Sequence, residues 1–198
     1  MTKDGPFVWD PVTQGVILGA FYYGYIITPI PGGRLAERCG AKWLFGLGTL
    51  FTGLLSLLIP VAAHAGVSYL IAVRVLQGIG EGVTYPAIEA QVAHWIPVNQ
   101  RATAVSLIHT GGFFGVAMGM YISGLLAGSS FLGGWPSVFY VFAHLVPSIM
   151  LMIVPAVGGC NGPLSLVLFV LAGTVRGVSE AGYMAIPVDM APDYAVMS

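Results

Sequence analysis

Charge is what this sequence has least of. Seven Lys or Arg and eight Asp or Glu among 198 residues make up 8% of the chain, against 57% hydrophobic residues. A soluble domain carries about a quarter charged residues, because its surface must face water. So few charges cannot cover a chain of this size, and with a mean hydropathy of +0.86 the expected solvent is the lipid bilayer. A net charge of −1 leaves no basic surplus to neutralise phosphates, which excludes a nucleic-acid partner.

Cysteine is equally scarce. Cys39 and Cys160 stand alone, with no CxxC or Cys/His spacing, so neither a disulfide framework nor a metal site is expected. No Asn-x-Ser/Thr acceptor occurs. The opening MTKDGPFVWDP lacks the short apolar core and small-residue cleavage site of a secretory signal. The first membrane segment would then direct insertion itself. No nucleophile–base pair and no phosphate-cradling loop with its lysine is found, so nothing points to an enzyme or to a bound cofactor.

Long apolar runs are what the chain does have. A bilayer core of ~30 Å needs about 20 apolar residues per helix. Six segments come near that, at roughly 13–33, 43–63, 67–94, 103–128, 137–157 and 164–187. They are read as helices, because barrel strands would alternate over about ten residues. The fold class expected is an all-α integral membrane protein of about six transmembrane helices. Gly111, Gly115 and Gly119 recur every four residues in the fourth segment, a spacing that lets membrane helices approach closely.

The connections are short and hold most of the charge. GGRLAERCGAK places Arg34, Arg38 and Lys42 against Glu37, and Arg101 marks the third connection. By the positive-inside rule both are cytoplasmic, and the N-terminus begins outside. Without a signal peptide, that start implies a preceding helix not contained in this sequence.

One apolar run breaks the pattern. RVLQGIGEGVTYPAIEA, residues 74–90, carries an arginine, a glutamine and two glutamates. On a helix turning ~100° per residue, Arg74, Gln77, Glu81 and Tyr85 form one stripe. Charges at bilayer depth cost roughly 2.5 kcal/mol or more on insertion scales, so this stripe should face a protein interior or a watery cavity. Arg74 and Glu81 lie about 10 Å apart along the axis, too far to bond directly within a straight helix. Each needs a partner on another helix, in water or in a ligand. The planar fork of an arginine matches a carboxylate or phosphate, and a desolvated glutamate takes up and releases protons. Those are minimal parts of a proton-coupled anion carrier. A structural Arg–Glu bridge pinning neighbouring helices is the alternative.

Other polar residues carry less. Glu89 and His94 approach the cytoplasmic end and are expected to be solvated. His109, one turn into the fourth segment, reads as a satisfied interior histidine. Arg176 and Glu180 are four apart and suited to pair. His144 has no evident partner in the sequence.

The charged connection is also a motif. GGRLAERCGAK follows the pattern G-x-L-A-[DE]-R-x-G-x-[RK], with Gly33, Leu35, Ala36, Glu37, Arg38, Gly40 and Lys42 all fitting. It resembles the loop between the second and third helices of the major facilitator superfamily. That resemblance implies a cytoplasmic gating loop, whose acid and basic groups pair in one transport state and part in the other. More narrowly, WDPVTQGVILGAFYYGYIITPIPGG (9–33), RVLQGIGEGVTYPA (74–87), GGWPSVFYVF (133–142) and DMAPDYA (189–195) resemble the anion transporters that include sialin, the vesicular glutamate transporters and the sodium–phosphate cotransporters. The resemblance implies that Arg74, Gln77 and Tyr85 bind a small anionic solute and that Glu81 couples protons. Leu18 stands where vesicular glutamate transporters carry a histidine, which favours the sialin or phosphate branch. Two departures matter: Pro29 replaces the glutamine of ITQIPGG and invites a kink, and Ile186-Pro187-Val188-Asp189 replaces NHLD.

The resemblance also implies a partial bundle. Residues 1–157 resemble an N-terminal half without its first helix, and 158–198 resemble helix ten of the second half. Helices six and ten of that family run the same way across the membrane, so one of the last two segments here would be inverted. Two functions are therefore expected. One is a secondary carrier of organic or inorganic anions, coupled to H+ or Na+. The other is a truncated, non-transporting membrane protein that pairs with a full-length relative. The organelle (plasma membrane, lysosome or vesicle) is left open.

Overall fold

The computed structural model describes residues 9–131 and 136–141, together with Leu171 and Thr174. The described residues form helices and no strand. Asp10 starts the first of them. Its carboxylate accepts hydrogen bonds from the Thr13 hydroxyl (2.5 Å) and the Thr13 amide (3.3 Å), and Pro11 fills the first helical position. Both are favourable helix-start chemistry. The bond from the Thr13 hydroxyl, and then that from its amide, holds the exposed Asp10 carboxyl below its ordinary pKa.

Helix α1 spans Pro11–Ile27 and helix α2 spans Pro29–Cys39. The first apolar segment is therefore two helices rather than one, broken at Thr28. Pro29 and Pro31 cannot donate to the carbonyls four residues earlier. The Thr28 hydroxyl compensates by donating to Gly24 O (3.4 Å) and Tyr25 O (3.3 Å). The kink invited by Pro29 is present.

Most of the expected connection is helix rather than loop. Gly33, Arg34, Glu37 and Arg38 lie on helix, and only Gly40 lies between α2 and the next helix, α3 (Ala41–Ala65). The reason is burial: Gly32 and Ala36 are covered where α2 packs on a later helix, and Ala, Glu and Arg are good helix formers. Gly40 makes the turn at φ +91°, a conformation that favours glycine. Arg34, Glu37 and Arg38 are exposed; the side chain of Lys42 lies outside the described part.

The third segment also breaks, into α4 (Val67–Gly82) and α5 (Thr84–Trp95), with Val83 between them. A 3-10 turn, Val98–Gln100, leads to α6 (Arg101–Ala127). Arg101 joins these two helices. Its Nε donates to Ile96 O at 3.0 Å and its Nη2 to Ala93 O at 2.6 Å, satisfying carbonyls at the end of α5 that have no intrahelical partner.

Helix α1 packs on α4 and α2 on α5, while α3 lies against α2, α4 and α5. The two broken helices thus run parallel, with α3 antiparallel beside them. Gly40 and Arg101 come to one end of the bundle. From Pro11 to Cys39 and from Val67 to Trp95 each broken helix is about 43 Å long at ~1.5 Å per residue, enough to cross a bilayer core. Two of the described stretches, Trp43–Ala65 and Val98–Ala127, are long and apolar enough to cross as single helices.

Close contacts are also made by Gly24, Gly48, Gly78 and Gly80. A Cβ on Gly24 would meet Val75 O and Ile79 N; one on Gly78 would meet Phe21 O and Tyr25 N. Across α3, a Cβ on Gly48 would sit 2.8 Å from Gly80 O, and one on Gly80 would sit 2.6 Å from Thr52 Oγ1. Helix α4 therefore touches α1 and α3 backbone to backbone, as small residues permit in membranes. Gly115 and Gly119, with Ala104, Ile108 and Ser123, are buried along one stripe of α6. Ile17, Ile59, Leu70 and Phe139 form an apolar core at the end away from the charged turn, joining α1, α3, α4 and the helical residues 136–141. Most of the fifth segment and all but two residues of 158–198 lie outside the described residues. So do His144, Arg176, Glu180, the 186–189 departure and the inverted-segment expectation.

Candidate substrate site

Four directions around α4 set its chemistry. Leu76 and Ile79 are exposed and point outward. Gly78 and Gly82 face α1, and Gln77 and Gly80 face α3. Arg74 and Glu81, seven residues apart, share the remaining direction, opposite the exposed face. They are 2% and 4% exposed. The helical period put both charges on one face, and the structure buries that face.

Gln77 does something else. Its Nε2 donates to Ser56 Oγ at 2.8 Å, and Ser56 Oγ donates to Thr52 O at 2.9 Å. Gln77 is fully buried in this α3–α4 seam, where it clamps two helices. Sequence spacing missed this because Gln77 is only 60° from Arg74 on the wheel, and the position of α3 decides which side it serves. Gln77 Oε1, Thr52 Oγ1 and Thr84 Oγ1 are buried without a hydrogen-bond partner among the described residues.

Tyr85 lies beyond the Val83 break, on α5. Its ring stacks on His109 of α6, with centroids 5.8 Å apart and planes inclined by 15°. His109 Nδ1 lies 2.8 Å from Val105 O. A carbonyl only accepts, so Nδ1 is the donor in this contact. His109 is half-buried and satisfied, as expected of an interior histidine. Glu89, His94 and Cys39 are exposed near the charged end. Among the described residues no group of three or more His, Cys, Asp or Glu could hold a metal.

A buried Arg and Glu on one face of a broken helix, inside a bundle of apolar helices, calls for comparison with known carriers. The sequence profile of the Major Facilitator Superfamily matches residues 4–155. The chain belongs to that superfamily. Its fold is a partial bundle of this type, and it is a multi-pass integral membrane protein of a family of carriers, not of enzymes. Sialin of Homo sapiens is 44% identical over 139 residues, which are 70% of this chain and 28% of that protein. Vesicular glutamate transporter 2 of Bos taurus is 43% identical over 136 residues, 69% of this chain and 23% of that protein. A sodium-dependent phosphate transport protein of Arabidopsis thaliana is 39% identical over 137 residues, 69% of this chain and 26% of its own. The chain spans about a quarter of the length of the curated relatives it matches.

Proposed function

We propose that this chain carries the anion site of a secondary transporter of the sialin and phosphate-transporter type. One observation carries the reading: Arg74 and Glu81 are both buried on the face of α4 turned away from the exposed side. Ionisable groups at this depth are costly, and in membrane proteins they mark solute and proton pathways. In this reading Arg74 engages an organic or inorganic anion through its guanidinium fork. Glu81 takes up and releases the coupling proton, or its carboxylate meets sodium. Tyr85, fixed by its stack on His109, lines the path toward the charged end. The names of the relatives (sialin, vesicular glutamate transporter, sodium-dependent phosphate transport protein) support an anionic solute.

The test is uptake of phosphate, sialate or glutamate into vesicles holding the purified chain, driven by an imposed proton or sodium gradient. Arg74→Ala and Glu81→Gln should each abolish uptake. Normal uptake in either variant would remove that residue from the mechanism. Uptake that appears only when a full-length relative is present would favour the pairing function instead.

A further inference from the structure

The two broken helices break side by side. Thr28 interrupts α1–α2 and Val83 interrupts α4–α5, and the two points touch. A Cβ on Gly82 would meet Thr28 Oγ1 and lie 2.7 Å from Tyr25 O. A Cβ on Gly32 would lie 3.1 Å from both Val83 Cα and Val83 Cγ1. Each break therefore packs into a glycine of the other helix, one residue before Val83 in one case and four residues after Thr28 in the other. Prolines follow both breaks. Pro29 and Pro31 give no amide donor to the carbonyls of Tyr25 and Ile27, the former taken by Thr28 instead, and Pro86 gives none to that of Gly82. Prolines of this kind are the commonest cause of a sharp helix kink.

The contacts on either side differ in partner and in closeness, the α1–α4 side being the tighter. Before the breaks, α1 and α4 interlock through Gly24 and Gly78. After them, a Cβ on Gly33 of α2 would lie 3.8 Å from Pro86 Cβ of α5, while Gly32 packs on Val83 at the break itself. Helix α3 crosses both levels without a break. It joins α2 through Gly40 alone, and it receives Val83 against Gly48, whose Cβ would lie 2.9 Å from Val83 Cγ2.

We infer that Thr28 and Val83 form one paired hinge, about which α2 and α5 swing together as a rigid body against the interlocked α1 and α4. Arg74 rides on the α1–α4 body. Glu81 lies two residues before the hinge and Tyr85 two residues after it, so the swing changes the environment of Glu81 and moves Tyr85 relative to Arg74. The same motion carries Arg34, Glu37 and Arg38. The hinge is a property of the bundle and stands or falls without any measurement of anion transport.

Spin-label distances in lipid nanodiscs test it, using the full chain with Cys160→Ser and native Cys39 at the end of α2. Tyr69→Cys on α4 and Ala93→Cys on α5 supply exposed partner sites. The distributions that cross the hinge, 39–69 and 69–93, should be roughly twice as wide as 39–93, since hinge motion moves whole elements while packed pairs keep their spacing. Pro86→Ala restores a donor to Gly82 O and should narrow both crossing distributions together. Val83→Ala removes the methyls seated against Gly32 and Gly48 and should widen 39–93. Three equally narrow distributions, or three equally wide ones, would overturn the proposal. So would a Pro86→Ala variant that narrows 69–93 while leaving 39–69 unchanged.

Discussion

Gln77 and Arg74 lie three residues apart on α4 and meet different surroundings. Gln77 bonds Ser56 across the α3–α4 seam, so its loss should weaken the bundle rather than the recognition of an anion. Interhelical side-chain hydrogen bonds in membranes average roughly 0.6 kcal/mol, with a maximum near 1.7. Gln77→Ala is therefore expected to lower stability in an unfolding titration by about that much, while anion affinity stays within twofold of the parent. A tenfold loss of affinity at unchanged stability would return Gln77 to the solute site. At this scale the sequence was informative about charge and blind to direction. The spacing of Arg74 and Glu81 placed both on one face, because a seven-residue interval nearly closes two turns. Gln77 could not be assigned from spacing, since its duty depends on where Ser56 arrives from another helix.

Side-chain chemistry marks some of the helix ends. Asp10 with Pro11, and Gly40, each sit at the boundary their residue type favours. The Pro29 departure marked the first break. The second break, at Val83, was hidden because Pro86 sits in the first turn of α5, where a missing donor is tolerated; the apolar run reads straight through it. Close helix contacts were harder still. Gly111, Gly115 and Gly119 advertise themselves by regular spacing, whereas Gly24, Gly78, Gly80 and Gly82 make close crossings that no such spacing announces. A glycine carries no side chain to reveal which neighbour it admits. Gly78→Val should therefore push α1 off α4, costing about 1–3 kcal/mol or more as overpacking does. The loss should appear as a lower melting temperature in detergent. Gly124→Val, with open space around its Cβ position, serves as the control and should change little.

The described bundle has two ends, and Arg34, Glu37, Arg38 and Arg101 cluster at one of them. Gly40 turns the chain at that end, and Gly66 turns it at the other. In sealed vesicles of uniform orientation, an impermeant maleimide should label Cys39 and an introduced Asn99→Cys from the same side. Ser68→Cys should react only from the opposite side. Labelling of Cys39 and Ser68→Cys from a common side would contradict the parallel pairing of α1 with α4 and α2 with α5. Composition alone fixed the solvent, because so few charges cannot face water. The pairing of helices was beyond it: apolar segments state that they are buried, and backbone crossings decide against what.

The crossing of α1 on α4 also sets an order in time. Fifty-four residues separate Gly24 from Gly78. At ~5–20 residues per second of synthesis, α1 is made several seconds before the surface it fits exists. During that interval its bare backbone stripe must be covered by lipid or by a helper in the membrane. Assembly of this bundle therefore waits on the emergence of α4, and any pause in translation between the two lengthens the exposure of α1.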